Sequence, residues 1–404
     1  SVCIISIFFI FKYIANFIWS YPTIEVTLIF VHIVYFFTYG YSIESWDSAG
    51  ILDREIKIFR SLIEKHNLRF TFVTYGGESD YNFDLGENIK ILPIYSIINK
   101  SKNKFWNLIK SFFLTKLLLN EIDHFDLIKQ NQLLGSWAAI LLKINSRKPL
   151  YTRTGYDMFL FSLKERKSFI KIISYYFLTQ VTLLYSNLYS VTSNQDLIFL
   201  NKYFIFKKNK IIIRQNWVVS KKFQDFSKRD SKKIISVGRL EKQKDYRYLI
   251  ESLSGTDFSL DIVGSGSKKS ELIELANNLS IKVNFLGVIK NEDLLELYNQ
   301  YKYFVSTSKF EGNPKAILEA MSSGCVVIAR NIPNNSEIIT DSINGFVFDE
   351  DNESLNKILR NINKLNGLEE ISSKAKEHVK KYNSLEDLSN KIYSDLLSLK
   401  LTDN

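Results

Sequence analysis

The chain has 404 residues, 46% of them hydrophobic, with two cysteines and a net charge of +10. That length suits two globular domains, and the hydrophobic share excludes a disordered chain. Cys3 and Cys325 alone exclude a disulfide framework or a cysteine-based metal centre and suit a reducing compartment. The positive charge calls for an acidic partner. No recognition helix or RNA-binding signature accompanies it, so nucleic acid is set aside in favour of an anionic membrane surface.

Residues 2–19 are apolar apart from Ser6, Lys12 and Asn16, close to the length of a membrane span, but show neither a basic leader nor a small-residue cleavage site. Residues 1–24 therefore read either as an anchor or as residues extraneous to a domain that opens near Glu25. The first domain, residues 25–217, reads as parallel α/β. A strand over 27–37 opens it, a helix over 48–66 follows with Gly50 near its start, and further strands cover 69–74, 89–92, 127–129, 149–153 and 189–192. Two stretches interleave cations with large apolar side chains. Lys100, Lys102, Lys104, Lys110 and Lys116 alternate with Phe105, Trp106, Phe112, Phe113 and Leu117. Lys164, Arg166, Lys167 and Lys171 lie beside Phe169, Ile170, Ile172 and Ile173. Each fits a basic amphipathic helix lying in a membrane interface, and equally a helix with its apolar side on the sheet and its basic side in water.

The string Arg153-Thr154-Gly155-Tyr156-Asp157 ends a strand with a glycine turn. Arg153 and Asp157 read either as site groups or as an ordinary turn with a surface arginine. The four histidines are His32, His66, His124 and His378. His32 lies in an apolar strand and reads as core, and His124 and His378 read as surface residues.

After a boundary near 217–232, the second domain (residues 218–383) alternates strands and helices again: a strand from Lys233 to Val237 ending at Gly238, a helix from Tyr246, a strand over 258–263, a helix over 269–278, a strand over 282–286 and a helix over 291–301. Ligands in such sheets bind beyond the carboxyl ends of the strands. Three strings fall at such ends. Gly238-Arg239-Leu240-Glu241-Lys242-Gln243-Lys244 is a basic loop. Gly264-Ser265-Gly266 is a tight turn that needs glycine with or without a phosphate. Glu311-Gly312-Asn313-Pro314-Lys315-Ala316-Ile317-Leu318-Glu319-Ala320-Met321 follows a strand-like 303–308. Pro314 suits the first helical position with Asn313 as its cap, which leaves Glu311 in the loop and Glu319 about one and a half turns inside. Two ionised carboxylates displaced along one wall suit a ligand with two separated sets of hydroxyls, such as a sugar joined to a ribose. Asp349-Glu350-Asp351 precedes a helix and reads as capping rather than as a metal motif.

The E-G-x-P-x-x-x-L-E-A-M pattern, followed by Ser323-Gly324 and an apolar strand, resembles the signature of the retaining glycosyltransferases of family 4, which have the GT-B fold. The resemblance implies an α/β chain of two Rossmann-like parallel-sheet domains facing a central cleft. It implies that Glu311 faces the donor sugar and Glu319 holds the ribose, with Gly312, Asn313, Pro314, Lys315 and Ala316 lining the donor. Arg239 and Lys244 resemble the family's paired cations on the diphosphate, with Lys242 a competitor, and Gly238 and Gly264 border them. Leu286-Gly287 occupies the place where the family's backbone meets the base. Residues 210–218 resemble the segment before the family's linker, although Val219 replaces a frequent Asp. The last helix, residues 384–404, resembles the one that crosses back to the first domain.

Many members carry a His near the strand end occupied here by Arg153, and none of the four histidines falls there. Gly50, Arg153 and Asp157 are the acceptor-side candidates. The implied activity is transfer, with retention, from a UDP-, GDP- or ADP-sugar to a glycan or lipid-linked acceptor in cell-surface polysaccharide or lipopolysaccharide synthesis. The implied setting is cytoplasmic, at the inner face of the plasma membrane, with no metal and no cofactor beyond the donor itself. Two other readings share a nucleotide site: a sugar-nucleotide epimerase, and a non-catalytic sugar-nucleotide-binding subunit.

Overall fold

The computed structural model describes residues 31–155, 157–205, 211–219, 225–351 and 353–401. The apolar segment 1–24 with Cys3, the start of the first strand, Tyr156 and Lys210 lie outside them.

Two all-parallel sheets form the frame. The first runs β3-β2-β1-β4-β5-β6-β7, built from β1 (Val31–Phe36), β2 (Leu68–Thr74), β3 (Ile89–Pro93), β4 (Leu127–Asn131), β5 (Leu150–Thr154), β6 (Leu188–Val191) and β7 (Ile211–Ile213). The second runs β10-β9-β8-β11-β12-β13, from β8 (Asp230–Val237), β9 (Ser259–Val263), β10 (Val283–Gly287), β11 (Tyr301–Ser306), β12 (Val326–Arg330) and β13 (Phe346–Phe348). This is the pair of Rossmann-like domains expected. Each strand order reverses once, at β1/β4 (Ile33 beside Leu127) and at β8/β11 (Tyr303 beside Ile234). A crevice opens at such reversals, beyond the carboxyl ends of the strands.

The strands are apolar on both faces because helices cover both. Along β1, Val31, Ile33 and Tyr35 enter one core and Val34 and Phe36 the other, and along β8 Ile234 and Ile235 divide in the same way. Core membership changes domain between Trp217 and Val218. Val218 donates its amide to the Asn383 carbonyl at 3.0 Å, so the outward and returning crossings run side by side. The returning helix, Leu385–Leu401, buries Leu388, Ile392, Leu396 and Leu399 in the first domain's core. Each such side chain is worth roughly 1.5–3 kcal/mol. A bidentate contact from Arg214 to Asp395, at 2.8 and 2.6 Å, pins the helix to the loop after β7.

The local reading needs correction in three places. A single helix over 48–66 is in fact two, Ile43–Ser48 and Leu52–His66, broken at Gly50 with φ +67°. The first is set by a capping box between Ser42 and Ser45. The helix from Asn291 ends at Tyr298, and Tyr301 opens β11. The helix after Glu311 is Lys315–Ser322, with Pro314 as the residue before it. Asn313 makes no capping bond.

Candidate functional site

Between the two reversals lies a cavity of about 1030 Å³. The first domain contributes the Ser42–Arg54 region and Gly155 to its wall. The second contributes Gly238, Arg239, Lys244, Gly264 and the Glu311–Glu319 segment. Of the residues singled out in the sequence, Gly50, Gly238, Arg239, Lys244, Gly264, Glu311, Gly312, Asn313, Pro314, Lys315, Ala316 and Glu319 all line this one space.

The loops after β8 and β11 are tied together. Gln243 Nε2 donates to the Phe310 carbonyl at 2.7 Å, the Lys309 amide donates to the Gln243 carbonyl at 2.9 Å, and Thr307 Oγ1 donates to the Lys244 carbonyl at 2.8 Å. This fixes Lys244 beside Glu311, with Nζ 2.5 Å from Oε1. Arg239 is exposed at the rim and makes no ion pair among the described residues, so its guanidinium is free for a ligand. Gly264 has φ +138°, and a Cβ there would overlap the Gly238 carbonyl oxygen. The two turns therefore pack backbone to backbone only because residue 264 is glycine. Lys315, Ala316 and Ile317, the first turn of the Lys315–Ser322 helix, line the same cavity, so the positive end of the helix borders it.

Glu319 is buried, and its Oε1 accepts from Asn291 Nδ2 at 2.9 Å and from Arg54 Nη1 at 3.2 Å. Arg54 belongs to the first domain, on the Leu52–His66 helix. Its neighbour Glu55 accepts from Arg54 Nε at 3.2 Å and from Lys315 Nζ at 2.6 Å. Burial alone would raise Glu55, but Lys315 and Arg54 hold it down at about 2. Burial brings Lys315 down to about 8 despite Glu55. Lys315 thus lines the cavity yet directs its ammonium into the other domain.

Other bonds join the domains around the cavity. The Asn216 amide donates to Asn313 Oδ1 at 3.1 Å and Asn216 Nδ2 to the Asn313 carbonyl at 2.6 Å, which is the task Asn313 performs in place of capping. The Asn291 amide donates to the Gly50 carbonyl at 3.2 Å. A Cβ on Gly312 would overlap the Gly155 carbonyl oxygen. Gly50 and Gly312 are therefore points where the two backbones meet.

Four sequence expectations fall elsewhere. Leu286 and Gly287 do not line the cavity; Leu286 faces outward, and Val288 and Ile289 form that wall. Arg153 is no surface residue. Its guanidinium donates to the carbonyls of Arg214 and Gln215 and to Asn216 Oδ1, and burial lowers its pKa. Asp157 is buried and caps the Met158–Lys164 helix through the Leu160 amide at 2.6 Å, with burial raising its carboxyl to about 7. His378 is half-buried beside the Tyr382 ring. Among the other histidines, His32 bonds Thr71, His66 stacks on Tyr393 and His124 is exposed, all remote from the cavity. Asp351 Oδ1 accepts from the Glu353 and Ser354 amides, and Glu350 pairs with Arg330. Arg54, Glu55, Asn216 and Asn291 were not singled out in the sequence. Only the position of Arg54 and Glu55 in the first helical turn after Gly50 hinted at a site.

Two parallel-sheet domains enclosing a cleft at both strand reversals, with cations and carboxylates on the second domain's wall, define a GT-B arrangement. The sequence model described as glycosyl transferases group 1 matches residues 219–382. An uncharacterized glycosyltransferase of Haemophilus influenzae is 23% identical over 320 residues, covering 78% of this chain and 86% of that protein. A Campylobacter jejuni N-acetylgalactosamine-N,N'-diacetylbacillosaminyl-diphospho-undecaprenol 4-alpha-N-acetylgalactosaminyltransferase is 32% identical over 139 residues, covering 33% of this chain and 37% of that protein. In fold, the chain is similar to Anabaena HepE, solved in complex with UDP and glucose, with a TM-score of 0.70 at 15% identity over 91% of this chain and 100% of that one. The glycosyl transferases group 1 match thus falls on the second domain, and over most of its length the chain is similar to a glycosyltransferase.

Proposed function

We propose that the protein transfers a sugar, with retention at the anomeric carbon, from a nucleoside diphosphate sugar to a lipid-linked glycan in the synthesis of a cell-surface polysaccharide. The observation that carries this reading is the gathering of Arg239, Lys244, Glu311 and Glu319 around one cavity large enough for a nucleotide sugar. The named substrate of the Campylobacter relative and the UDP in the HepE structure support the choice of ligand classes.

In this reading the diphosphate lies against Arg239, Lys244 and the turn at Gly238 and Gly264. The C–O bond between sugar and diphosphate breaks on the same face that the acceptor hydroxyl attacks. The departing phosphate oxygen takes the acceptor's proton, and no enzyme nucleophile is formed. Charge grows on the diphosphate as the bond lengthens, and the fixed guanidinium and the ammonium meet it there. The reading assigns that task to these two cations and not to a divalent ion. Glu311, held by Lys244, orients the donor sugar, and Glu319 takes the ribose hydroxyls. The basic first domain would place the acceptor side against the inner face of the plasma membrane.

The test is release of nucleoside diphosphate from UDP-, GDP- and ADP-sugars with and without membrane lipid extract, comparing the native protein with Glu311→Gln. Release that requires the extract and is lost in the variant is expected and would name the donor. Tight nucleotide binding without release under any condition would point to a non-catalytic subunit. Release without any acceptor would point to epimerase-like or hydrolytic chemistry.

A further inference from the structure

The Phe169–Tyr185 helix is apolar on its outer side as well as its inner one. Its inner side packs Ile172, Tyr175, Tyr176 and Leu183 into the first domain and carries Thr179 and Thr182, the latter 2.9 Å from Ser136 Oγ. Its outer side carries Ile170, Ile173, Phe177, Val181 and Leu184, spaced three and four residues apart in one continuous stripe, and all are exposed. A helix on a soluble domain carries polar residues on that outer face. Phe169 and Ile170, at 74% and 77% exposure, begin the stripe, and Lys171 is the one charge within the helix.

The same domain exposes a second apolar patch. Phe105, Trp106 and Phe113, on and just after the Lys104–Ser111 helix, are each more than half exposed. The elements that carry the two patches both pack on the start of the Ser136–Ser146 helix. Trp137 stacks on Phe112 with ring centres 5.4 Å apart, while its neighbour Ser136 makes the bond to Thr182. Trp137 also packs against Tyr39, 5.3 Å away and just beyond the end of β1, so the surface reaches the carboxyl edge of the first sheet, where the cleft opens. Exposed Lys102, Lys104, Lys116, Arg166 and Lys171 stud this surface.

We propose that this face of the first domain docks the protein on an anionic lipid bilayer, with the Phe169–Tyr185 helix lying in the interface. Seventeen residues span about 25 Å, short of the roughly 30 Å hydrocarbon core. Among the described residues no helix is long and apolar enough to cross a membrane. A helix packed on its neighbours by one side and apolar on the other therefore lies along the bilayer. The cations favour anionic headgroups, whereas a second copy of the chain would oppose like charge to like charge. The proposal deepens the reading of a lipid-linked acceptor, because it places the mouth of the cleft at the surface where such an acceptor resides.

The test is flotation of the full chain with phosphatidylcholine vesicles, with and without phosphatidylglycerol, at low and high salt. The native protein is expected to float with the anionic vesicles and to do so less well in high salt. Phe169→Glu with Ile170→Glu should bind at least about tenfold more weakly, and Lys104→Glu with Lys171→Glu should lose the preference for phosphatidylglycerol. All four positions are exposed, so melting temperature and affinity for UDP, GDP or ADP should be unchanged. No vesicle binding by the native protein, or equal binding by the Phe169→Glu, Ile170→Glu variant, would overturn the proposal. So would a concentration-dependent dimer in sedimentation that this variant abolishes. Vesicle binding without sugar transfer would count against the transferase reading alone.

Discussion

Arg54 and Glu319, 265 positions apart in sequence, form an ion pair across the cleft at 3.2 Å, and the pair belongs to an alternating chain of charges. Glu319 and Lys315 lie one turn apart on the second domain's helix, and they meet Arg54 and Glu55, adjacent on the first domain's helix. The carboxylate assigned to the ribose is thus paired with a group from the other domain. Arg54→Gln would leave buried Glu319 with Asn291 as its remaining partner among the described residues. A loss of about 2 kcal/mol in unfolding free energy is expected, below the 3–5 kcal/mol typical of a fully buried pair because Arg54 keeps 20% exposure. The double variant Arg54→Gln, Glu319→Gln should be less destabilised than the two single changes summed. Urea unfolding of the four proteins measures this coupling, and strict additivity would show that the pair contributes nothing.

Arg239 offers the opposite case, an exposed cation at the cavity rim that makes no ion pair among the described residues. Arg239→Ala should leave the melting temperature unchanged and lower turnover by roughly 10²–10³, the usual effect of removing one donor that meets developing charge. Lys244→Ala should lower turnover similarly but also cost stability, since it strips Glu311 of its partner. Nucleoside diphosphate release, measured beside thermal melts, separates the two. Full turnover in Arg239→Ala would remove this residue from the diphosphate site.

The parts of this site that were legible in the sequence are the local ones. Glu311, Glu319 and the Arg239–Lys244 loop could be read because a few neighbouring residues, set by strand-end geometry, carry the pattern. Arg54, Asn291 and Asn216 could not, because their partners lie in distant segments brought close only by folding. Arg153 was misread for a related reason. It points to the same side of β5 as Tyr151, a side covered by the returning C-terminal helix, and its acceptors come from residues 214–216. Leu286 was misplaced because β10 is an edge strand with alternating exposure, and the positive φ of Gly287 turns the chain so that Val288 and Ile289 face the cavity. The break at Gly50 was missed because one glycine inside a helical pattern is no clear signal, and the capping box that starts a separate helix lies upstream of it.

Gly312 tests whether the observed approach of the domains matters to activity. A methyl group there meets the Gly155 carbonyl oxygen, and backbone on both sides leaves no flexible side chain to yield. Gly312→Ala should force the two domains apart at this contact while sparing both cores. Turnover is expected to fall at least about tenfold, since a displacement of about 1 Å of catalytic groups can cost that much or more. Small-angle scattering should show a more open particle, and native activity with an unchanged scattering curve would refute the argument.

Lys129 gives a pH signature that arises away from the cleft chemistry. Its ammonium is buried at the middle of the first sheet, has no hydrogen-bond partner among the described residues, and rests 4.0 Å from the centre of the Tyr151 ring. Burial, reinforced by Arg153 and only partly opposed by Asp395, lowers its pKa to about 7. The unfolded chain then binds the proton more readily than the folded one between about pH 7 and the ordinary lysine value near 10.5. Stability contributed by neutral Lys129 is present above that ordinary value and is lost as pH falls to about 7, below which the penalty stays constant. Lys129→Met keeps much of the side chain's volume and removes the buried charge. It should stabilise the protein by about 1–3 kcal/mol at neutral pH, with a gain that shrinks toward pH 10. Urea midpoints for both proteins across that range check the sign, and a gain independent of pH would mean that packing, not charge, separates them.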